Sequence, residues 1–295
     1  MNVKKSISLS ILIFLTFALS AEKTGALLWK ISGNGLKHSS YIFGTHHAFP
    51  VSFLDSVAGV KEAFASCRQM VGEIAMDDMT TLTAEIQKAG MMPPDSTWQM
   101  LLTADDYAFV DKQLTEFFGT GLQTLGSLKP FMVNMAYIVV FYQRMFPHSA
   151  TNEAADMWFQ QRAVERGIPI VGLETVHDQI AVFEVTSMKS QAADLVCLLK
   201  NSGDMERFTR KLNHLYRSAD LTGISGLLRE DDPCPSSAEQ EAALNDTRNR
   251  RWLEKLPAIM SSKPSFIAVG CLHLIGEAGL LKGLEKAGYK IESGY

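Results

Sequence analysis

Two segments near opposite ends of the chain carry the same short pattern, a Gly-x-x-His placed directly after a run of strand-forming residues. Gly44-Thr45-His46-His47 follows Ser40-Tyr41-Ile42-Phe43, and Gly270-Cys271-Leu272-His273 follows Ser265-Phe266-Ile267-Ala268-Val269. Each His therefore emerges just past the carboxyl end of a strand, where open α/β sheets place their ligands. Each copy then runs into an amphipathic helix. Val57, Val60, Phe64 and Cys67 recur at helical spacing in the first, and Ala278, Leu281, Leu284 and Ala287 in the second. A further strand closes each unit, over residues 69–74 and, shorter and more polar, 288–292. The pattern predicts a helix-rich, mixed α/β fold. Its central mixed sheet is built from two related strand-loop-helix-strand units, packed side by side and surrounded by helices.

A single His on a loop says little, whereas two copies in matching context bring two imidazoles into one cleft. Facing imidazoles suit a metal site or an acid/base pair. His46 and His47 are adjacent and point to different sides; the offset from Gly44 that is repeated in Gly270 and His273 selects His47. Glu73 is the most suggestive carboxylate, because it lies in the otherwise apolar strand Met70-Val71-Gly72-Glu73-Ile74. A buried charge there needs a partner or a metal, although strand alternation could equally turn it to solvent. Glu174 holds the comparable place after a third strand, Ile168-Pro169-Ile170-Val171-Gly172-Leu173, or else serves the start of the next helix. Arg248 and Asn249 lie on the helix leading into the second motif strand. They are candidates to hold developing negative charge, set against a plain basic face packed over Trp252.

Residues 1–21 read as a secretory signal peptide: Lys4 and Lys5, an apolar stretch from Leu9 to Leu19, then small residues at Ser20 and Ala21. The apolar stretch is shorter than a spanning helix needs, so the expectation is a cleaved leader that leaves no stable membrane span, with an uncleaved amino-terminal anchor as the alternative. Residues 22–295 read as a single domain. The expected destination is the periplasm or the exterior. Losing Lys4 and Lys5 takes the formal charge from −4 to about −6, and the only basic cluster left is Arg248, Arg250 and Arg251. Nucleic acid is accordingly not expected as a partner. Four cysteines remain for an oxidising compartment. Cys197 and Cys234 could pair, Cys67 reads as a buried small hydrophobe, and Cys271 could act as a ligand.

The long middle section reads as mostly helical. Pro130 opens a run to Tyr142 that is apolar almost all round, too short for a membrane and read as a buried core helix. Further helices are expected over residues 80–88, 153–166, 191–199, 204–216 and 237–256. No G-x-S-x-G elbow, H-E-x-x-H, Walker loop or dinucleotide fingerprint occurs, which argues against a serine hydrolase, a zincin, a nucleotide enzyme and a Rossmann oxidoreductase.

Taken in order, Phe43-Gly44-Thr45-His46-His47, Gly72-Glu73, Gly172-Leu173-Glu174-Thr175, Arg248-Asn249 and the block from Val269 to Leu280 resemble the TraB/GumN family. That family includes pheromone-shutdown proteins and is similar to the Tiki metalloproteases. The resemblance covers nearly all of the chain beyond the leader. It implies a fold like that of the haem-binding ChaN proteins and erythromycin esterases. It also implies a metal-dependent hydrolase, most plausibly a peptidase acting on peptides or proteins. His47, His273 and Glu73 would then hold a divalent Mn, Co or Zn ion, with Glu73 as third ligand or general base and Glu174, Arg248 and Asn249 in support. Cys271-Leu272 departs from the small residues many members carry there, and its bulk would narrow the site. The alternative is a non-catalytic protein that binds a peptide or haem in the same cleft.

Overall fold

The computed structural model describes residues 25–76, 79–147 and 153–293. The expected leader, residues 1–21, lies outside the described residues. The amino-terminal part runs β1 (Leu28–Gly33), β2 (Ser40–Thr45), α1 (Val60–Ser66), β3 (Gln69–Gly72) and α2 (Met79–Ala89). A helical stretch follows: α3 (Trp98–Leu101), α4 (Ala104–Phe118), α5 (Leu122–Leu125), α6 (Pro130–Met145) and α7 (Ala155–Glu165). After β4 (Ile170–Gly172) come α8 (Val176–Phe183), α9 (Met188–Lys200), α10 (Ser202–Arg217), α11 (Leu221–Glu230), α12 (Ala238–Glu241) and α13 (Thr247–Ser262). The chain closes with β5 (Ser265–Gly270), α14 (Leu280–Lys286) and β6 (Tyr289–Ser293).

The fold is mixed α/β, with one six-stranded sheet in the order β4-β3-β5-β2-β1-β6. Strands β2, β3 and β4 pair in parallel through β5 and β3, while β1 runs antiparallel to both β2 and β6. The two repeated units are present, but they interlock rather than lie side by side. β5 of the second unit sits between β2 and β3 of the first, and the crossover from β5 to β6 steps over β2 and β1. Parallel strands need a crossover connection, and skipping neighbours leaves room for the other unit's strand. The interlocking sets the histidine-bearing strands directly beside each other, with Thr45 opposite Gly270.

Two apolar clusters build the interior. The larger covers the sheet, with Phe43, Met70, Phe159, Trp252, Phe266 and Leu284 among its members. The smaller joins the helices of the middle section through Trp98, Val110, Leu114, Val133, Tyr137 and Leu195. A disulfide between Cys197 and Cys234 staples α9 to the loop before α12, and Cys234 packs against the smaller cluster. Cys67 is a buried free thiol, as expected, but it lies in extended backbone just past the end of α1 rather than on the helix face.

Three expectations need correction. Strand β1 and helix α11 were not anticipated: Leu28-Trp29-Lys30-Ile31 alternates too briefly to register, and β1 exists because β2 and β6 flank it. The inward positions of α14 are Leu280 and Leu284, while Ala287 lies outside the helix and is exposed. Helix α6 is not buried all round, because Met135, Ile138 and Val139 are exposed. One flank of α6 packs into the smaller cluster and another walls a cavity. No helix among the described residues is long and apolar enough to cross a membrane.

Candidate active site

Four neighbouring parallel strands each deliver one polar side chain at their carboxyl ends. Glu174 follows β4, Glu73 follows β3, His273 lies in the short 3-10 turn after β5, and His47 follows β2. They meet around Gly270. A methyl group placed on Gly270 would stand 3.4 Å from Glu73 Oε1, 3.6 Å from His273 Cδ2 and 3.8 Å from His47 Nε2. The backbone at Gly270 is ordinary, with φ −52°, so glycine here serves clearance rather than conformation. Gly44 differs, because a side chain there would meet Leu274 and the backbone of Cys271 at 2.8–3.0 Å. Glycine at the first motif thus lets two backbones approach.

Arg248 occupies the centre. Its Nε donates to both oxygens of Glu174 at 3.0 and 3.2 Å, and its Nη2 donates to Glu73 Oε2 at 2.5 Å and Glu174 Oε1 at 2.6 Å. Its Nη1 donates to the Leu244 carbonyl at 3.1 Å and meets His273 Nε2 at 2.9 Å. A guanidinium has five N–H donors and no acceptor. All five are engaged, so His273 Nε2 must be the unprotonated, accepting nitrogen. A π-helical turn, Ala242–Asp246, precedes Arg248 and contains Leu244, whose carbonyl takes one of those bonds. Glu174 receives a further bond from Trp252 Nε1 at 3.2 Å.

Asn249 fixes the other side of His273. Its Nδ2 donates to the carbonyls of His273 at 3.2 Å and Ala278 at 3.0 Å, which leaves Oδ1 to accept from His273 Nδ1–H at 2.8 Å. His273 is therefore a neutral imidazole held at both nitrogens, with its ring 4.4 Å from that of Trp252. Burial, with the Arg248 and His47 charges beside it, lowers its pKa to about 4 against the pull of Glu73.

His47 is set up in the opposite sense. Its Nδ1 donates to Asp156 Oδ2 at 2.8 Å, and Thr45 Oγ1 donates to the other oxygen at 2.6 Å. The Asp156 hydrogen bond raises the His47 pKa to about 9, against desolvation and with help from the Asp156 and Glu73 charges. At neutral pH His47 is an imidazolium whose Nε2–H faces the cavity, and its side chain keeps 68% exposure. His46 turns away into the rings of Phe49, Tyr142 and Tyr216, where burial and the His47 charge lower it to about 4.

Glu73 stays ionised. Burial opposes its charge, but His273, Arg248, His47 and the Gly270 N–H, 2.8 Å from Oε1, together hold the carboxyl below its ordinary range. Gln179 Nε2 adds a bond to Oε2 at 3.2 Å. Solvent, the other reading of Glu73, is ruled out by a side chain only 11% exposed.

Above this floor opens a cavity of about 790 Å³. His47, Glu73, Asp156 and Arg248 line its base, while α2, α6 and α8 contribute apolar walls. Neither Cys271 nor Leu272 lines it; Cys271 packs on Gly44, away from the cavity, and burial pushes its thiol up to about 12.

The geometry bears on the roles expected from sequence. His47, His273, Glu73, Glu174, Arg248 and Asn249 all gather in one place. Neither Arg248 nor Asn249 retains a donor for an oxyanion, because the fold has engaged them all. The donor atoms also do not fit a divalent ion as arranged: His273 Nε2 accepts from Arg248, and that guanidinium lies within bonding distance of Glu73 as well. Among the described residues, no group of three or more His, Cys, Asp and Glu is placed to hold a metal ion. Asp156 and Gln179 were missed in sequence. Asp156 sits in the first turn of α7, a place acidic residues take for the helix dipole alone, so nothing marked it out.

The TraB/PrgY/gumN family model matches residues 27–293. No curated protein and no solved structure matches the chain.

Proposed function

The chain belongs to the TraB/PrgY/gumN family, and from that premise we propose that it is a secreted or periplasmic hydrolase of amide or ester bonds, with peptides as the substrates its resemblance implies. One observation carries the reading. An imidazolium and a carboxylate converge over Gly270 at the polar end of an apolar cavity. Opposed protonation states side by side are how one site supplies both an acid and a base near neutral pH. The Cys197–Cys234 disulfide supports an oxidising compartment.

In this proposal the substrate carbonyl lies over Gly270, polarised by His47 Nε2–H. Glu73 accepts a proton from the attacking water as its oxygen bonds to the carbonyl carbon. The carbon–nitrogen or carbon–oxygen bond then breaks, and His47 passes its Nε2 proton to the leaving atom, giving a carboxylic acid and an amine or alcohol. Glu73 is a weak base, and the polarised carbonyl compensates by making the adding water more acidic. Asp156 keeps His47 in register and charged. Arg248, Asn249 and Glu174 hold Glu73 and His273 in place. A divalent ion, which the resemblance implies, would need Arg248 to withdraw from His273 and Glu73, so no step here passes through one.

The test is turnover of a peptide and ester library by the full chain, alone, with chelator, and with added Mn, Co or Zn. Wild type is compared with His47→Asn and Glu73→Gln. Chelator-resistant turnover lost in both variants is the expected result. Turnover that appears only with added metal would replace this mechanism with the metal-dependent one. Ligand binding without turnover in wild type would favour the non-catalytic peptide- or haem-binding alternative.

A further inference from the structure

The cavity is polar at one end only. The hydrogen-bonding groups that line it lie at the strand ends, and most already have partners. Gln160 donates to the Ile74 carbonyl at 3.0 Å and accepts from the Met76 N–H at 2.7 Å, and Gln179 is bonded to Glu73. Away from that floor the walls are hydrocarbon and thioether: Ile86 from α2, Met132, Met135 and Val139 from α6, and Ile180 and Phe183 from α8. Met135 and Val139 are 44% and 51% exposed, apolar surface that an apolar occupant would remove from water.

A peptide laid along these walls would carry an amide pair at every residue, roughly each 3.3 Å, with no side-chain partner to meet it. A methylene chain has no such requirement. Methionine walls also adjust to an unbranched, flexible occupant better than to a fixed shape. The cavity volume, about 790 Å³, lies in the range that encloses a small ligand.

We infer that this cavity holds an unbranched acyl chain, its carbonyl end at the polar floor beside His47 and its hydrocarbon running along α6. The inference deepens the proposed function and rests on its reading of the floor as the reactive end. It makes the substrate an acyl ester or acyl amide, with the chain on the carbonyl side of the bond that breaks. The head group is left to the chemistry beyond the floor, so a free fatty acid and an N-acylated peptide share the recognised part.

The experiment is displacement of a fluorescent polyene fatty acid from the full chain. The competitors are saturated fatty acids of increasing length, N-acyl dipeptides carrying the same chains, and an unacylated apolar peptide. Affinity is expected to rise roughly tenfold per two added methylenes until the cavity is filled. Fatty acids stronger than N-acyl dipeptides would identify the free acid as the source, and the reverse would identify the acylated peptide. Val139→Asp, on the wall and half-exposed, should weaken binding about tenfold or more. Ile138→Asp, a neighbour outside the cavity and 49% exposed, should not. His47→Asn should lose turnover yet keep the length dependence.

Binding that ignores chain length, or that the unacylated peptide competes for equally, overturns the acyl site. Equal effects of Val139→Asp and Ile138→Asp overturn it too. Length-dependent displacement without turnover of any ester or amide would support the acyl site while refuting the hydrolase reading. Turnover of unacylated peptides with no displacement would do the reverse.

Discussion

Replacing Arg248 with Met keeps much of the side chain's length and removes its charge. In the native protein the Arg248 side chain is 8% exposed, against 11% for Glu73 and 2% for Glu174. The substitution leaves two buried carboxylates facing each other across a gap, with Glu174 keeping only Trp252 and Glu73 keeping Gly270 and Gln179. Removing one partner from a buried ion cluster costs about 3–5 kcal/mol, because the remaining charge is stranded. The loss should depend on pH. Glu73 is depressed in the native protein, so its pairing contributes stability above the unfolded carboxylate pKa and loses it as pH falls through the folded one. In the variant, Glu73 should titrate upward and take a proton on acidification, which relieves the stranded charge. Urea unfolding of both proteins between pH 7 and pH 5 should show the gap narrowing. A deficit under about 1 kcal/mol at pH 7, or one that does not change with pH, would refute the view that Arg248 neutralises the site.

Other perturbations separate the parts of the site. Asp156→Asn should bring the His47 titration, followed by NMR, down from about 9 toward 6.5; an unchanged value would remove Asp156 as its cause. The raised His47 pKa adds stability fully present below 6.5 and lost as pH climbs through about 9. With a side chain 68% exposed, that contribution is small, and the clearer readout is turnover that falls on the alkaline side near 9. Gly270→Ala should fold with stability within about 1 kcal/mol of wild type while losing turnover, since its methyl enters the space between His47 and Glu73. Gly44→Ala should instead lower the unfolding midpoint, because its methyl meets backbone. Cys197→Ser with Cys234→Ser reopens a span of 37 residues, and the chain-entropy estimate puts the loss at about 4 kcal/mol.

The site was legible in sequence to the extent that sheet geometry dictates it. A His three residues after a strand-ending glycine, found twice, fixes where two imidazoles emerge, and an acid ending an apolar strand fixes a third group. Periodicity does not state that the two units interlock, nor which hydrogen bonds a side chain completes. Arg248 and Asn249 looked like free donors because a sequence records a guanidinium's presence and not its partners. Asp156 and Gln179 sit on helices where their residue types are commonplace. Helix α6 read as fully buried because an apolar wall facing a cavity and an apolar face packed in a core have the same composition.

The floor of the cavity is anchored by the sheet and its covering helices, whereas the wall helix α6 sends Val133 and Tyr137 into the separate cluster that the disulfide staples. The α6 wall and the polar floor are thereby mounted on two different foundations. Substitutions on the α6 side of the lining can therefore reshape the cavity while leaving the hydrogen bonds at its floor untouched.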